Sequence, residues 1–401
     1  MMDWNEIKFK DFIQLQRGFD LFKSQFVEGD FPVVGATSIT GYHQEFKVYG
    51  PGVVTGRTGT IGTIQYINSN FWPHQDALWV KDFKGNLPKY VYYFLKTLKL
   101  EVFNAGGAVP ALNRNHLDNL NVFIPNYIGQ HKIASILSAY DELIENNKQR
   151  IRLLEEMAEE IYKEWFVRLR FPGYKTAKFV DGLPEGWKWV KVEDIFKTSS
   201  GGTPSREKES DYYGGEIDWI KTGELKDTFV FDSEEKITVV GLKNSSAKMF
   251  PPDTLLMAMY GVNIGQLGIS VKHSSANQAV CVFTSIKPEE YSLYYSFFFF
   301  KSIRPHLFNI SMGAAQQNLS QDLIKRVNYF SPYFEIINKY DSIVKPFFEE
   351  IKILSQKNQF LQQTRDLLLP RLISGKLSVE DVKNSYNLPE ISLNIAAEPK
   401  I

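Results

Sequence analysis

The stretch "YDELIENNKQRIRLLEEMAEEIYKEWF", Tyr140 to Phe166, decides the fold. It holds neither Gly nor Pro and is rich in Glu, Lys, Arg, Leu and Ala, so it predicts one long helix. Side chains at heptad spacing run through Leu137, Ile144, Ile151, Ala158 and Trp165, and a second row through Tyr140, Asn147, Leu154 and Ile161. These rows are the a and d positions of a coiled-coil seam, interrupted by one amide, Asn147. A helix from His131 to Arg168 would be a rod of roughly 57 Å.

Working outward, the chain repeats itself. "WNEIKFKDF" from Trp4 matches "WKWVKVEDI" from Trp187, with Trp4 and Trp187 183 positions apart. "GRTGTIGTI" matches "GVNIGQLGI" with Gly59 and Gly265 206 apart, and "GAVPALNRNHL" matches "GAAQQNLSQDL" with Leu112 and Leu319 207 apart. "FIPNYIGQHKIASIL" matches "FSPYFEIINKYDSIV", with Pro125 and Pro332 again 207 apart. The drift gives the second copy about 24 extra residues, which we place in the Gly- and Ser-rich "TSSGGTPSREKESDYYGGEIDW". Each copy reads as a mixed, β-rich globule followed by a long helix. The glycine motifs, set among apolar and β-branched residues, predict tight hairpins.

The second helix, Tyr333 to Leu372, has its own rows: Ile337, Val344, Ile351, Asn358, Arg365 and Leu372, then Tyr340, Phe347, Leu354, Leu361 and Leu368. It too carries a seam amide. If the helices run antiparallel, paired residue numbers share a total, and setting Asn147 opposite Asn358 makes it 505. Leu137 then meets Leu368, Ile144 meets Leu361, Ile151 meets Leu354 and Leu154 meets Ile351. Ala158 meets Phe347, Ile161 meets Val344, and Trp165 meets Tyr340. The poor pair is Tyr140 with Arg365, where a cation–π contact or snorkelling would serve. Paired amides can bond each other, whereas a one-heptad slip would bury each against hydrocarbon at about 1–3 kcal/mol apiece. Register specification is the role such residues are best known for. The alternatives are helices packed on their own globules and amides facing water at a seam edge.

The bulk numbers agree with this organisation. A chain of 401 residues, 43% hydrophobic and 14% aromatic, fills two or three cores. The single cysteine, Cys281, permits no internal disulfide framework and reads as a buried strand residue. The start shows no apolar leader and no run approaches a membrane span, so a cytoplasmic soluble protein is expected. Net charge is zero, a mild argument against nucleic acid.

Catalytic patterns are missing. There is no Walker lysine motif, HExxH, GxSxG or paired-cysteine spacing, and His43, His74, His116, His131, His273 and His306 lack ligand spacing. "SPYF" at Ser331 faintly resembles an amino-methyltransferase tetrad but lacks its second proline. With "IPNY" at Ile124, it marks a strand-to-helix junction in each copy. Binding is the better reading, and two similar globules on one rod suit two separated sites on a duplex. Candidate DNA-contacting residues in the first copy are Arg17, Lys23, Arg57, Thr58, His74, Gln75, Asn113, Arg114 and His116. In the second they are Thr203, Arg206, Lys221, Tyr260, Asn263, Gln266, Gln278, Gln316, Gln317 and Asn318. Arg and Lys suit guanine or phosphate, and Asn and Gln suit adenine. Taken singly, a solvated turn or a structural amide is the more ordinary reading of each.

With repeats and helices in place, the chain resembles the specificity subunit of a Type I restriction–modification system. The motifs are "LPEGWKWVKVEDIF", "SGGTPSRE", "GVNIGQLGI", "GAAQQNLSQDL", "EEMAEEIYKEWFVRLRFPG" and "RDLLLPRLISGKL". The resemblance covers nearly the whole chain up to about Asp381. It implies an α+β fold of two tandem β-rich α/β target recognition domains, separated by two long helices that form an antiparallel coiled coil about a pseudo-twofold. The expected divisions are recognition domain one at 1–127, spacer helix one at 128–170, recognition domain two at 171–332, spacer helix two at 333–374 and a tail at 375–401. Each domain would read half of a bipartite double-stranded DNA sequence, and the helices would set the unspecified spacer. The resemblance further implies two methyltransferase (modification) subunits carrying S-adenosylmethionine and restriction translocase subunits using ATP with Mg, with no cofactor or metal in this chain and no catalysis by it. Against it stand two other classes, a non-catalytic scaffold and the specificity part of a fused restriction–methylation enzyme.

Overall fold

The β-rich copies and heptad patterns resolve into strands and two long helices in the computed structural model, which describes residues 3–103, 111–287, 291–312 and 318–379. The strands of the first copy are β1 (Trp4–Lys8), β2 (Gln14–Arg17), β3 (Phe31–Val34), β4 (Ile39–His43), β5 (Gly52–Gly56), β6 (Ile64–Ile67), β7 (Trp72–Pro73), β8 (Ala77–Asp82) and β9 (Asn121–Pro125). They form a four-stranded sheet in the order β2-β8-β5-β6, a three-stranded sheet β4-β3-β7, and the ribbon β1-β9. The helix Pro88–Thr97 starts on a proline, whose missing N–H costs nothing in a first turn. It buries Tyr90, Tyr93, Phe94 and Leu95.

The second copy repeats the plan after a short hairpin, β10 (Phe179–Val180) and β11 (Leu183–Pro184). Its strands are β12 (Lys188–Lys191), β13 (Phe196–Ser200), β14 (Tyr213–Ile220), β15 (Thr228–Val230), β16 (Lys236–Ile237), β17 (Leu255–Ala258), β18 (Leu267–Ser270), β19 (Ser275–Ala276), β20 (Val280–Ser285) and β21 (Asn328–Ser331). The sheets are β13-β20-β17-β18-β15, β16-β14-β19 and β12-β21. Apart from the added edge strand β15, each sheet has its counterpart in the first copy. Cys281 lies fully buried in β20.

Strand register relocates the extra residues of the second copy. The parallel pair Val33–Trp72 answers to Trp219–Ser275, so by that point the copies have drifted only from 183 to 186. The partner strands His43 and Ile237 stand 194 apart, and Trp72 and Ser275 stand 203 apart. Most of the insertion therefore falls after Ile220: in the connection bearing β15, in that bearing the helix Val239–Lys243, and in the glycine loop. The sequence placed it too early, because "TSSGGTPSREKESDYYGGEIDW" is polar but contains β13 and β14 themselves. The glycine motifs do join antiparallel neighbours, β5 to β6 and β17 to β18. The connections are open loops rather than tight turns, spanning 57–63 and 259–266.

The first long helix runs Tyr127–Tyr162 and continues through a π-helical turn, Lys163–Val167; the second runs Phe334–Ile373. A strand ending at or before a proline leads into each. The chain divides into two compact units, one of Met1–Asn146 with Asn358–Ile401, the other of Asn147–Lys357. In the first unit Arg365 Nη1 donates to Asp141 Oδ1 at 2.6 Å and Asn358 Nδ2 to the Ile144 carbonyl at 3.4 Å. In the second, Arg150 pairs with Glu350 at 2.7 Å, and the Trp165 and Tyr340 rings lie 6.1 Å apart. Rising numbers on one helix meet falling numbers on the other, so within each unit the helices are antiparallel. The seam residues Leu137, Tyr140, Ile144, Asn147, Ala158, Ile337, Tyr340, Val344, Ile351, Leu354, Asn358, Leu368 and Leu372 are buried. Ile151, Leu154, Ile161, Trp165, Phe347 and Leu361 are partly so. Asp141 and Asp366 answer the charge of Arg365.

Candidate nucleic-acid interface

Loops leaving the same end of both sheets converge in the first unit. Gly18 N–H donates to the Ala77 carbonyl, Arg57 N–H to Asp76, His74 N–H to Val34 and Leu112 N–H to Arg57. These bonds join the loops after β2, β3 and β5, the one before β8, and the segment Ala111–Arg114. Arg17, Arg57, Thr58, His74, Gln75, Asn113 and Arg114 thus lie in one loop cluster, with Lys23 and His116 exposed on adjoining turns. Gly56 permits the close approach, since a Cβ there would meet the Thr60 carbonyl at 2.0 Å.

Several of these side chains are already engaged. The His74 ring nitrogens lie 2.6 Å from Asp76 Oδ1 and 2.9 Å from the Leu21 carbonyl, so the imidazole braces two loops. Arg114 donates to the Leu15 carbonyl, Arg57 to the Gln75 carbonyl at 3.4 Å, and Arg17 pairs with Asp20. Lys23 is exposed and has no ion pair among the described residues.

The second unit repeats the arrangement. Gly201 N–H donates to the Val280 carbonyl, Asn277 N–H to Ile220 and Leu319 N–H to Met259. Lys221, Tyr260, Asn263, Gln266, Gln278 and Asn318 are drawn to this cluster. Asn263 Nδ2 donates to the Thr222 carbonyl at 3.4 Å, and Gln266 N–H to the Asn263 carbonyl. Thr203 is exposed just past the Gly201–Gly202 turn. Gln316 and Gln317 lie outside the described residues. Arg206 stacks 4.0 Å from the Tyr213 ring and bonds Glu235 through both terminal nitrogens, while Lys221 reaches the same carboxylate at 3.1 Å. The Arg206 hydrogen bonds hold the Glu235 carboxyl at about 2, well below its ordinary value. Arg206 also pairs with Glu209 at 2.9 Å and Lys221 with Glu234 at 3.6 Å, so two of the basic candidates are already engaged by acids that no spacing in the sequence marks.

Register exposes further residues that the sequence did not single out. Lys221 follows β14 where Gly35 follows β3, so the exposed Thr37 and Ser38 and the amide of Gln65, which donates to the Gly35 carbonyl, belong to the first cluster. No spacing in the sequence marks them; only the strand pairing does. Among the described residues no group of three or more His, Cys, Asp or Glu could hold a metal ion, and no helix is long and apolar enough to cross a membrane.

Duplicated sheets that gather polar loops at one end, each copy feeding a long helix, define a tandem-domain protein. The chain belongs to the Type I restriction modification DNA specificity domain family, whose model matches residues 1–156 and 184–363. It is 25% identical over 311 residues to the Type I restriction enzyme MjaIX specificity subunit of Methanocaldococcus jannaschii, covering 74% of this chain and 71% of that one. It is 23% identical over 361 residues to the HindI specificity subunit of Haemophilus influenzae, covering 73% and 78%. The fold matches the crystal structure of a Type I restriction–modification S subunit from M. genitalium with a TM-score of 0.66, at 18% identity, over 92% of this chain and 96% of that one.

Proposed function

We propose that this chain is the DNA-reading subunit of a Type I restriction–modification complex, each copy reading one half of a bipartite duplex sequence while the long helices set the spacer. The observation carrying this is the duplicated loop cluster, with exposed polar and basic side chains held on a backbone framework in both units. Rigid loops of this kind suit base-edge readout, and a net charge of zero suits a subunit that leaves most phosphate contact to others. We assign the candidate residues named above to DNA contact, with His74 and Arg206 bracing the loops that others present. In this reading the divisions at 127, 170, 332 and 374 separate readers from spacer helices. Asn147 with Asn358 marks the register, and catalysis rests with partners: modification subunits with S-adenosylmethionine, and a restriction translocase with ATP and Mg. Such a complex works on cytoplasmic DNA.

The test is selection from a randomised duplex pool by the chain assembled with modification subunits. Two short motifs at one fixed spacing support the reading. Absence of enrichment at every salt concentration overturns it and favours a scaffold.

A further inference from the structure

The two copies tie their readers to the long helices at different carboxylates, Asp141 in the first and Asp341 in the second. In the first, Asp141 on the first long helix accepts from Tyr93 Oη at 2.5 Å and from Arg365 Nη1 of the second long helix at 2.6 Å. Tyr93 is fully buried, and Asp141 and Arg365 keep 24% and 16% of their side-chain exposure. Three helices, one of them the reader's own Pro88–Thr97, thus meet at one carboxylate.

The repeat supplies the comparison. Helix Pro88–Thr97 corresponds to helix Leu293–Ser302 at a separation of 205, and both end on a hydroxyl donating to a carbonyl three residues back, Thr97 to Phe94 and Ser302 to Phe299. The long helices correspond at 207, as Pro125 and Pro332 do. Tyr93 therefore answers to Phe298, Asp141 to Phe348 and Arg365 to Ala158. Phe298, Phe348 and Ala158 are buried in one core, the two rings 5.8 Å apart and edge to face. A polar triad in one copy stands where the other has an apolar one. The second reader has polar ties of its own at other positions: Ser292 Oγ donates to Asp341 Oδ1 at 2.6 Å, Lys301 Nζ donates to Glu159 at 2.6 Å, and Lys352 lies 3.8 Å from Asp253.

We propose that Asp141 is a positioning residue that fixes the angle of the first reader on the helix pair. Apolar burial is non-directional, whereas charge-assisted hydrogen bonds constrain angle as well as distance. Replacing a buried ion pair by apolar groups often leaves stability intact, so the polar triad is better explained by geometry than by stability. Geometry matters here because one base pair more or less turns a half-site by about 34°. A reader held at a fixed angle must twist the DNA to follow, and a loosely held one absorbs the rotation.

This inference rests on the bipartite reading, and its test separates the two. The triple exchange Tyr93→Phe, Asp141→Phe and Arg365→Ala gives the first copy the second copy's side chains. In the assembled complex it should keep both half-site motifs and a parental thermal midpoint. The preference for the best spacer over one a base pair longer or shorter should fall several-fold. If the exchanged chain does not fold, Asp141→Asn keeps volume and the acceptor for Tyr93 while removing the charge that Arg365 needs, and the same loss is expected. A parental complex selecting no split sequence overturns the reading and the inference with it. A parental complex selecting one, with either folded variant keeping full spacer preference, overturns the inference alone.

Discussion

The side-chain amide of Asn358 reaches the backbone carbonyl of Ile144 on the opposing helix, at 3.4 Å, with Asn358 only 7% exposed. A seam amide that finds a carbonyl across the interface is satisfied in one register and stranded in others. Asn358→Leu should therefore leave thermal stability unchanged or raise it, while loosening the register. Cysteines substituted at Ile151 and Leu354 report this. They should cross-link efficiently in the parent and less so in Asn358→Leu, with shifted cysteine pairs gaining yield. Cross-linking in the parent only at a shifted pair would refute the total of 505.

The second long helix passes through Pro346 without interruption. A proline there removes the bond to the Ser342 carbonyl and crowds the preceding turn, at roughly 3 kcal/mol in a helix interior. The equivalent residue in the first long helix, 207 positions earlier, is Ala139. Pro346→Ala is expected to stabilise the chain by about 1–3 kcal/mol, read as a raised denaturant midpoint with an unchanged slope. A lowered midpoint would mean that the seam needs the proline's distortion.

Burial pushes the Asp341 carboxyl up to about 6, against the hydrogen bond from Ser292 Oγ at 2.6 Å and the nearby Lys345 charge. Its ordinary value is 3.8, so between these values the folded chain holds more protons than the unfolded one. Stability from this group is complete below about pH 4, falls as pH rises to 6, and stays lost above. Asp341→Asn should then raise the thermal midpoint at pH 7.5, by at most about 3 kcal/mol of stability, with the difference vanishing near pH 4. A pH-independent difference would contradict this account.

Glu235 runs the other way. Held at about 2 by Arg206 and Lys221, it stabilises the fold above its ordinary 4.5, and that contribution is lost as pH falls toward 2. Glu235→Gln should lower the thermal midpoint modestly at pH 7, with parent and variant converging in acid. The same substitution removes the acid that Arg206 and Lys221 share, leaving them Glu209 and Glu234, so the salt dependence of DNA binding should steepen. An unchanged salt slope would place both cations away from phosphate.

Contacts with DNA separate by chemistry. Lys23→Ala should weaken binding evenly across sequences and reduce the salt slope by about 1. Gln278→Ala should cost about 1–3 kcal/mol at one base pair of one half-site, leaving the other half unchanged. The readout is pool selection repeated on each variant. A loss spread over both half-sites would break the assignment of Gln278 to the second reader.

Heptads and repeats are local patterns, and they were legible at once. Tyr140–Phe166 reads as a helix because side-chain period and intrinsic propensity act within a few turns, and Pro125 and Pro332 mark the junctions for the same reason. The insertion was misplaced because polarity near "SGGTPSRE" looks like a loop, whereas β13 and β14 are set by pairing with β20 and β16. For His74 and Arg206 the sequence shows the donors without the partners that hold them. Asp76 lies two residues from His74, and Glu235 lies 29 from Arg206.

By itself the sequence determined two copies, two long helices, a polar mark in each seam and membership in a DNA-specificity family. The copies, helices and seam marks follow from periodicity and from residues compared at fixed separation, and the family from the resemblance of its motifs. Only the tertiary structure decided which loops share a cluster, which cations are already neutralised, and that Asp141 joins Tyr93 to Arg365 where the other copy packs Phe298 on Phe348. Hydrogen bonds and ion pairs act over a few ångströms between residues far apart in the chain. No local pattern encodes them, and the fold must first bring them together.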